Sequence, residues 1–141
     1  MNEYHKAVYE IIKTGHWITD SVTRVLKEYG IYEPQFNVLM ILKAANGRPI
    51  SVNSILENMV QRSSNVTRIV DKLESKGLVD RHLCGEDRRK MDIVITKEGR
   101  NLLTKLKKKV TEFHKPMVNN LNTKELKTLE HLIKKLKEKQ I

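Results

Sequence analysis

The side chains most suited to chemistry in this sequence are hydrogen-bonding and cationic groups in one short helical stretch, RSSNVTRIVDKL, at residues 62–73. Its Val, Ile and Leu residues recur at helical spacing and predict one buried face. Short hydroxyl, amide and guanidinium groups of the kind that read base edges and phosphates lie on the other face. The stretch predicts a DNA-recognition helix, although a solvated helix face would look similar. Its candidate DNA-binding residues are Arg62, Ser63, Ser64, Asn65, Thr67, Arg68 and Lys72.

A second cluster of cations lies between two β-prone runs, 78–84 and 91–95. These runs predict a hairpin, with Arg88, Arg89 and Lys90 at its tip. Asp87 is placed to stabilise this wing by holding an arginine through a charge-assisted hydrogen bond. An arginine at such a tip can enter a narrow minor groove, where the negative potential is enhanced. A merely soluble turn is the alternative, but adjacent like charges repel each other unless an anion is near.

The overall charge favours a polyanionic partner. The 141 residues carry 27 basic and 17 acidic side chains, a net charge of +10 with an isoelectric point near 9.7. Nucleic acid is the partner first indicated, and a lysine-rich solvated surface is the alternative. The composition, 39% hydrophobic and 31% charged, excludes a disordered tail, and no apolar run approaches the ~20 residues of a membrane span. We expect no membrane partner and a cytoplasmic location, since the N-terminus lacks a signal-peptide core.

The elements around these two clusters are mostly helices separated by turns. A heptad pattern from Tyr4 to Tyr29 predicts a long first helix with a partner helix. Two further helices precede the recognition helix, which is expected to begin at Ser63 or Ser64 and to end at Gly77. Two helices follow the hairpin. The sequence therefore predicts a mainly α fold with a small two-stranded β wing, in one domain. The remaining predicted helix starts are Glu33, Ser51, Thr96 and Asn122.

The order of these motifs resembles the MarR family of bacterial transcriptional regulators. The resemblance lies in the run from Val66 to Arg81, in Asp87-Arg88-Arg89, and in Ile95-Thr96-Lys97-Glu98-Gly99. It implies a winged helix-turn-helix at 31–99, dimerisation helices at 1–30 and 100–141, and a homodimer on a pseudo-palindromic operator in double-stranded DNA. Arg89 matches the family's minor-groove arginine. Tyr32 departs from the family, which usually has Ser or Thr as the helix cap there.

The resemblance further implies a ligand-responsive repressor, because many members of the family are released from DNA by small effectors. The family's pocket lies between the dimerisation helices and the DNA-binding lobe. The residues of this chain that are candidates for lining it also fit an ordinary core. They are His16, Trp17, Asp20, Phe36 and Met40.

Other kinds of chemistry have little support in the sequence. Cys84 and the five histidines show no close spacing of metal ligands, so we expect no metal and no cofactor. Cys84 is interpreted as a small strand residue rather than a reactive thiol. No nucleophile elbow, phosphate loop or spaced acid pair indicates an enzyme. Two alternatives to a sequence-specific regulator stay open: a low-specificity DNA-architectural protein and a winged helix that binds only protein.

Overall fold

The computed structural model describes residues 1–60, 65–83 and 91–139, with only the backbone described for Leu83 and Met91. These residues form two compact units, Met1–Val110 and Thr111–Ile141. The helices and strands are α1 (Glu3–Lys27), α2 (Glu33–Ala44), β1 (Ile50–Ser51), α3 (Val52–Asn58), α4 (Val66–Ser75), β2 (Val79–Leu83), β3 (Met91–Ile95), α5 (Lys97–His114) and α6 (Thr123–Leu136).

The helices begin where side chains can satisfy the backbone N–H groups of the first turn. Ser51 Oγ accepts a hydrogen bond from Ser54 N at 3.1 Å and caps α3, which confirms the helix start predicted at Ser51. Asn122 and Glu125 form a reciprocal capping box, which confirms the helix start predicted at Asn122. Asn65 caps α4, so this helix begins at Val66 and not, as predicted, at Ser63 or Ser64. The spacing of apolar residues does not show where the helix begins, because Ser63, Ser64 and Asn65 are consecutive and each has a side chain that could cap it.

The helix α2 begins with Glu33, as predicted, despite the unusual residue before it. The Tyr32 side chain makes no capping hydrogen bond, and Gln35 Oε1 instead accepts from the Tyr32 backbone N–H at 3.1 Å. Gln35 is only 3% exposed. A buried glutamine therefore satisfies the N–H group at the helix start, which explains how the chain accommodates Tyr32.

The sheet is antiparallel with strand order β1-β3-β2. The hairpin of β2 and β3 confirms the predicted wing, with Val79 opposite Ile95 and Leu83 opposite Met91. The third strand, β1, pairs Ile50 with Ile93 and was not predicted. Two residues are too few to show the alternation by which a strand is recognised in sequence.

One apolar core lies within the first unit and takes residues from α1 to α5 and from the sheet. Gly99 lies close to this core at the junction of the sheet with α5. Its neighbour Thr96 accepts a hydrogen bond from Gly99 N at 3.0 Å and donates one to Gly77 O at 2.7 Å. These bonds fix the end of α4 against the start of α5. The core residues that are at most 1% exposed are Leu26, Val38, Leu39, Leu42, Ile55, Val70, Leu73, Val79, Ile93, Leu103 and Leu106.

Two helices carry apolar side chains that their own unit leaves exposed. On α1 these include Tyr4, Tyr9, Ile11 and Ile12, which are 41–60% exposed. On α6 the apolar side chains from Leu126 to Leu136 recur at helical spacing and are exposed along the helix. Lys134, hydrogen-bonded to Glu130 at 2.7 Å on the same helix, lowers the pKa of that carboxyl group. Within the described ranges, no helix has the length and apolar character needed to cross a membrane.

We predict that Gly99→Ala lowers the free energy of unfolding by about 2 kcal/mol, which is typical of overpacking. The added Cβ would overlap Leu78 O and lie 2.8 Å from Ile95 Cγ1, so the junction of β2, β3 and α5 would have to shift. Urea unfolding followed by circular dichroism measures the change. Asn101→Ala, at an exposed site of the same helix, is the control and should have little effect. Equal stability of the two variants would contradict the close contact at Gly99.

Candidate nucleic-acid interface

The exposed face of α4 carries most of the described candidate DNA-binding residues. Val66, Val70 and Leu73 are buried beneath the helix, as predicted. Thr67, Arg68 and Lys72 are exposed on the opposite side. Arg62, Ser63 and Ser64, also candidates, lie outside the described residues. The structure therefore brings a hydroxyl group and two cations together on one solvent-facing surface of a short helix.

Asn65 lies at the start of this surface but already has a structural role. Its Oδ1 accepts a hydrogen bond from Arg68 N at 3.1 Å and caps α4. A bidentate contact with adenine needs both the oxygen and the nitrogen of an Asn side chain. While the cap is intact, one lone pair of Oδ1 is used, and Asn65 can offer DNA its Nδ2 donor and the second lone pair of that oxygen.

Two carboxylates, Asp71 and Glu74, also lie on α4, and Arg81 of β2 binds both. The Arg81 guanidinium pairs with Asp71 Oδ1 and lies 3.4 Å from Glu74 Oε1. It also donates to Thr67 O at 3.4 Å. Because its side chain is only 20% exposed, it is screened less than a surface cation would be. Arg81 thus attaches α4 to the sheet and compensates two negative charges on the candidate DNA-binding helix.

From the sequence, Arg81 stands out only as part of the family motif and is assigned no role. A signal for its role is nevertheless present, since Arg81 stands two residues after the buried Val79 and therefore on the inward side of the strand. An arginine at such a position needs an anionic partner. Two carboxylates spaced three residues apart on the preceding helix, Asp71 and Glu74, supply it.

A shallow cleft lies between the start of α2 and α4. Tyr32 and Gln35 form one side, and Arg68, Ile69 and Lys72 form the other. Within the described residues, neither Arg68 nor Lys72 has an ion-pair partner. The cleft is therefore a positively charged concave surface that extends the exposed face of α4 toward α2.

The candidate wing residues Asp87, Arg88, Arg89 and Lys90 lie outside the described residues, as does Cys84. The structure describes the two paired strands, β2 and β3, that precede and follow these residues. Leu83 and Met91 are paired at the last described position of the hairpin. The wing assignment of these four residues stays a prediction.

A cavity of about 250 Å³ opens between α1, α2 and the end of α3. Of the five residues proposed for the ligand pocket, Phe36 and Met40 line this cavity, whereas His16, Trp17 and Asp20 do not. Those three lie on the exposed sides of α1, and the neighbouring Ile18, Thr19 and Val22 face the cavity instead. Among the described lining residues, only Glu33 is charged. The other lining residues are Pro34, Asn37, Met59 and Val60.

Metal binding has no support in the described part of the chain, where no three His, Cys, Asp or Glu side chains are grouped as ligands. His82 is exposed on β2, and Asp92 is opposite it in the strand register. Two such residues do not make a metal site.

Comparisons with known proteins agree with this geometry. The MarR family model matches residues 31–91, which run from before α2 to the first residue of β3. The multiple antibiotic resistance protein MarR of Escherichia coli K12 is 30% identical over 136 residues, 90% of this chain and 92% of that protein. The chain belongs to the MarR family. It is accordingly a non-enzymatic, DNA-binding transcriptional regulator with a winged-helix fold.

Solved structures of MarR-type regulators show the same fold. A mutant of E. coli MarR in complex with operator DNA superposes with a TM-score of 0.78 at 23% identity, covering 98% of this chain and all of that one. The organohalide-sensing regulator RdhR, bound to 2,4-dichlorophenol, gives a TM-score of 0.80 at 19% identity, covering 96% and 80%. In this MarR-family chain, α3 and α4 are the helix-turn-helix, and the hairpin of β2 and β3 is the wing.

We predict that Arg81→Met weakens DNA binding by roughly tenfold, because Asp71 and Glu74 are left uncompensated on the recognition helix. Titration of labelled DNA at several salt concentrations measures the loss, which should shrink as salt rises. The matched control adds Asp71→Asn and Glu74→Gln to Arg81→Met. If uncompensated charge is the cause, this triple variant should recover most of the affinity. A triple variant that binds as weakly as Arg81→Met alone would show that Arg81 acts by attaching the helix, not by compensating charge.

Proposed function

We propose that this regulator binds a pseudo-palindromic operator as a homodimer and represses transcription by occupying the promoter in the cytoplasm. The observation that supports this most directly is the exposed face of α4, where Thr67, Arg68 and Lys72 are available while Arg81 compensates both carboxylates. In a winged helix-turn-helix, the second helix enters the major groove, which is ~12 Å wide and admits one helix. The positions of α3, α4 and the hairpin correspond to that arrangement.

The candidate residues divide by the kind of contact expected. Thr67 is suited to a base edge, while Lys72 is suited to a phosphate. Arg68 is suited to either, since a guanidinium binds guanine or phosphate. Arg62, Ser63 and Ser64 precede Asn65 and are expected to add contacts at the start of the helix. The wing cations Arg88, Arg89 and Lys90 are expected to approach the minor groove, with Arg89 inserted and Asp87 holding the wing.

The cavity between α1 and α2 supports the proposal that a small effector regulates the protein. Its lining is mainly apolar, with Phe36 and Met40 among its walls, and its volume of about 250 Å³ suits a small aromatic molecule. Glu33, the charged residue of the described lining, disfavours an anionic ligand such as an aromatic carboxylate. We therefore propose a small, mainly apolar effector that is neutral or cationic.

Dimerisation is supported by the exposed apolar residues of α1 and α6. Burying large apolar side chains such as Ile11 and Leu132 contributes roughly 1.5–3 kcal/mol each, and monomeric proteins seldom leave rows of them in water. The heptad spacing along α1 is typical of a helix that packs against a partner.

The sequence-reading proposal predicts different effects for helix and wing substitutions. Thr67→Ala should weaken operator binding by about 1–3 kcal/mol and spare unrelated DNA, because it removes a base contact. Arg89→Ala should weaken both DNAs and reduce the salt dependence by roughly one counterion per subunit. Fragments selected from genomic DNA supply the operator, and fluorescence anisotropy at several salt concentrations gives the affinities.

Each outcome of that comparison assigns a role. If Thr67→Ala weakens both DNAs equally, α4 does not read sequence and the DNA-architectural alternative is favoured. If Arg89→Ala changes neither affinity, the wing does not contact DNA. Absence of any binding at low salt would favour a winged helix used only for protein contacts.

The dimer proposal predicts a single species of about twice 16.5 kDa in sedimentation equilibrium at micromolar concentration. Ile11→Asp should unfold the protein, because it buries a charge between helices that depend on each other for stability. Lys13→Asp, on the opposite side of α1, should leave the dimer intact. A folded monomer of the wild-type protein would contradict the proposal.

A further inference from the structure

A long-range hydrogen bond connects α2 to the chain just after α3. The Val60 backbone N–H donates to the Asn37 side-chain Oδ1 at 2.8 Å, although the residues are 23 positions apart. Asn37 lies within α2, and Val60 belongs to the connection that leads to the recognition helix α4. The bond therefore attaches the turn of the helix-turn-helix to the preceding helix α2.

This bond holds a part of the chain that has few other attachments. Met59, the C-cap of α3, is buried and has an extended conformation that directs the chain out of the helix. The Val60 side chain is 81% exposed and cannot anchor the backbone by packing. The side chain of Asn37 thus fixes the direction in which the connection to α4 begins.

The opposite end of α4 is attached more extensively. Lys76 Nζ donates to Gly30 O, Thr96 Oγ1 donates to Gly77 O at 2.7 Å, and Arg81 Nη1 donates to Glu74 Oε1 at 3.4 Å. At the start of α4, within the described part of the chain, Asn65 caps the helix locally and Arg81 donates to Thr67 O at 3.4 Å. The connection from Val60 leads into the start of α4, so a displacement at Val60 acts first on that end of the helix.

Both partners of the Asn37–Val60 bond line the 250 Å³ cavity, together with Met59. A molecule in that cavity would contact the donor residue, the acceptor residue and the buried residue between α3 and Val60. Because the cavity already has room for a small aromatic molecule, such a molecule would act on this bond by contacting its donor and acceptor residues and not by forcing the walls apart.

We propose that Asn37 is a positioning residue for DNA recognition, and that a cavity ligand weakens operator binding by disturbing the Asn37–Val60 hydrogen bond. The second part rests on the effector proposed above, whereas the first part does not. Asn37 touches no DNA in this scheme; it acts through Val60 on the placement of α4. The ligand changes operator affinity because it favours the arrangement in which this bond is broken.

The direct test compares Asn37→Ala with two matched variants. Asn37→Ala should weaken operator binding by about two- to tenfold, which corresponds to the net contribution of one hydrogen bond. Asn37→Asp keeps an acceptor oxygen at the same position and should retain most of the affinity. Asn101→Ala, an exposed asparagine on α5, should bind as the wild type does. Wild-type affinity in Asn37→Ala would overturn the proposal.

A second measurement separates positioning from general stability. Amide hydrogen exchange at Val60 should be faster in Asn37→Ala, while exchange within α4 should stay protected. Unchanged exchange at Val60 would overturn the proposal, as would loss of protection throughout α4, because the variant would then act by general unfolding.

The ligand route is tested with 2-naphthol as a neutral aromatic probe and 2-naphthoate as its anionic counterpart. Calorimetry first establishes binding to the free protein. Saturating 2-naphthol should lower operator affinity in the wild-type protein and have little further effect in Asn37→Ala, since the two changes act on one bond. An equal fold-reduction in both proteins would overturn the ligand route.

If neither probe binds, the effector proposal fails, and Asn37→Ala alone then decides whether Asn37 positions α4. If 2-naphthoate binds more tightly, the proposed exclusion of anions by Glu33 fails. In that case, the comparison of wild type with Asn37→Ala is made with 2-naphthoate and decides the ligand route.

Discussion

Two carboxylates lie on α4, the helix proposed to approach DNA, and Arg81 pairs with both of them. Asp71 and Glu74 are not isolated surface charges, because Arg81, which is largely buried on β2, pairs with both of them. The same guanidinium donates to the backbone of α4 at Thr67. One side chain therefore connects α4 to β2 and compensates negative charge on the surface proposed to meet DNA. The same contact thus contributes to both the placement of the helix and its electrostatics.

The other contacts of α4 are distributed unevenly between its two ends. Near its C-terminal end, ion pairs, the bond from Thr96 to Gly77 and the close approach of Gly99 join α4 to the sheet and to α5. Near its start, the described contacts are the local Asn65 cap, the packing of Val66 and the hydrogen bond from Arg81 to Thr67 O. Within the described residues, the end of α4 beside the wing is therefore joined to more distant parts of the chain than its start is.

Local chemistry was predictable from the sequence, whereas contacts between distant residues were not. The caps at Ser51 and Asn122, the end of α4 at Gly77 and the hairpin follow from rules that act within a few residues, and the structure confirms them. The strand β1 was missed because its two residues are defined only by pairing with β3. The bond of Asn37 with Val60 spans 23 residues and leaves no local pattern. Of the residues proposed for the ligand pocket, those on α2 line the cavity and those on α1 do not. The reason is that a heptad pattern shows which residues of α1 are apolar but not which side of the helix faces α2.

The large net charge of the chain contributes to the attraction of DNA in general and not to the recognition of a particular DNA sequence. A charge of +10 increases association with any DNA, and its effect falls with salt. Among the described charged residues of the surface proposed to meet DNA the balance is closer, because Arg68, Lys72 and Arg81 carry three positive charges and Asp71 and Glu74 carry two negative ones. With so small an excess among these residues, the sequence-reading role proposed for α4 depends on the fit of a few side chains to base edges and not on charge alone. Such a fit tolerates little displacement of the helix. The placement of the chain at Val60, ahead of α4, is for that reason the point at which the proposed ligand would act on DNA binding.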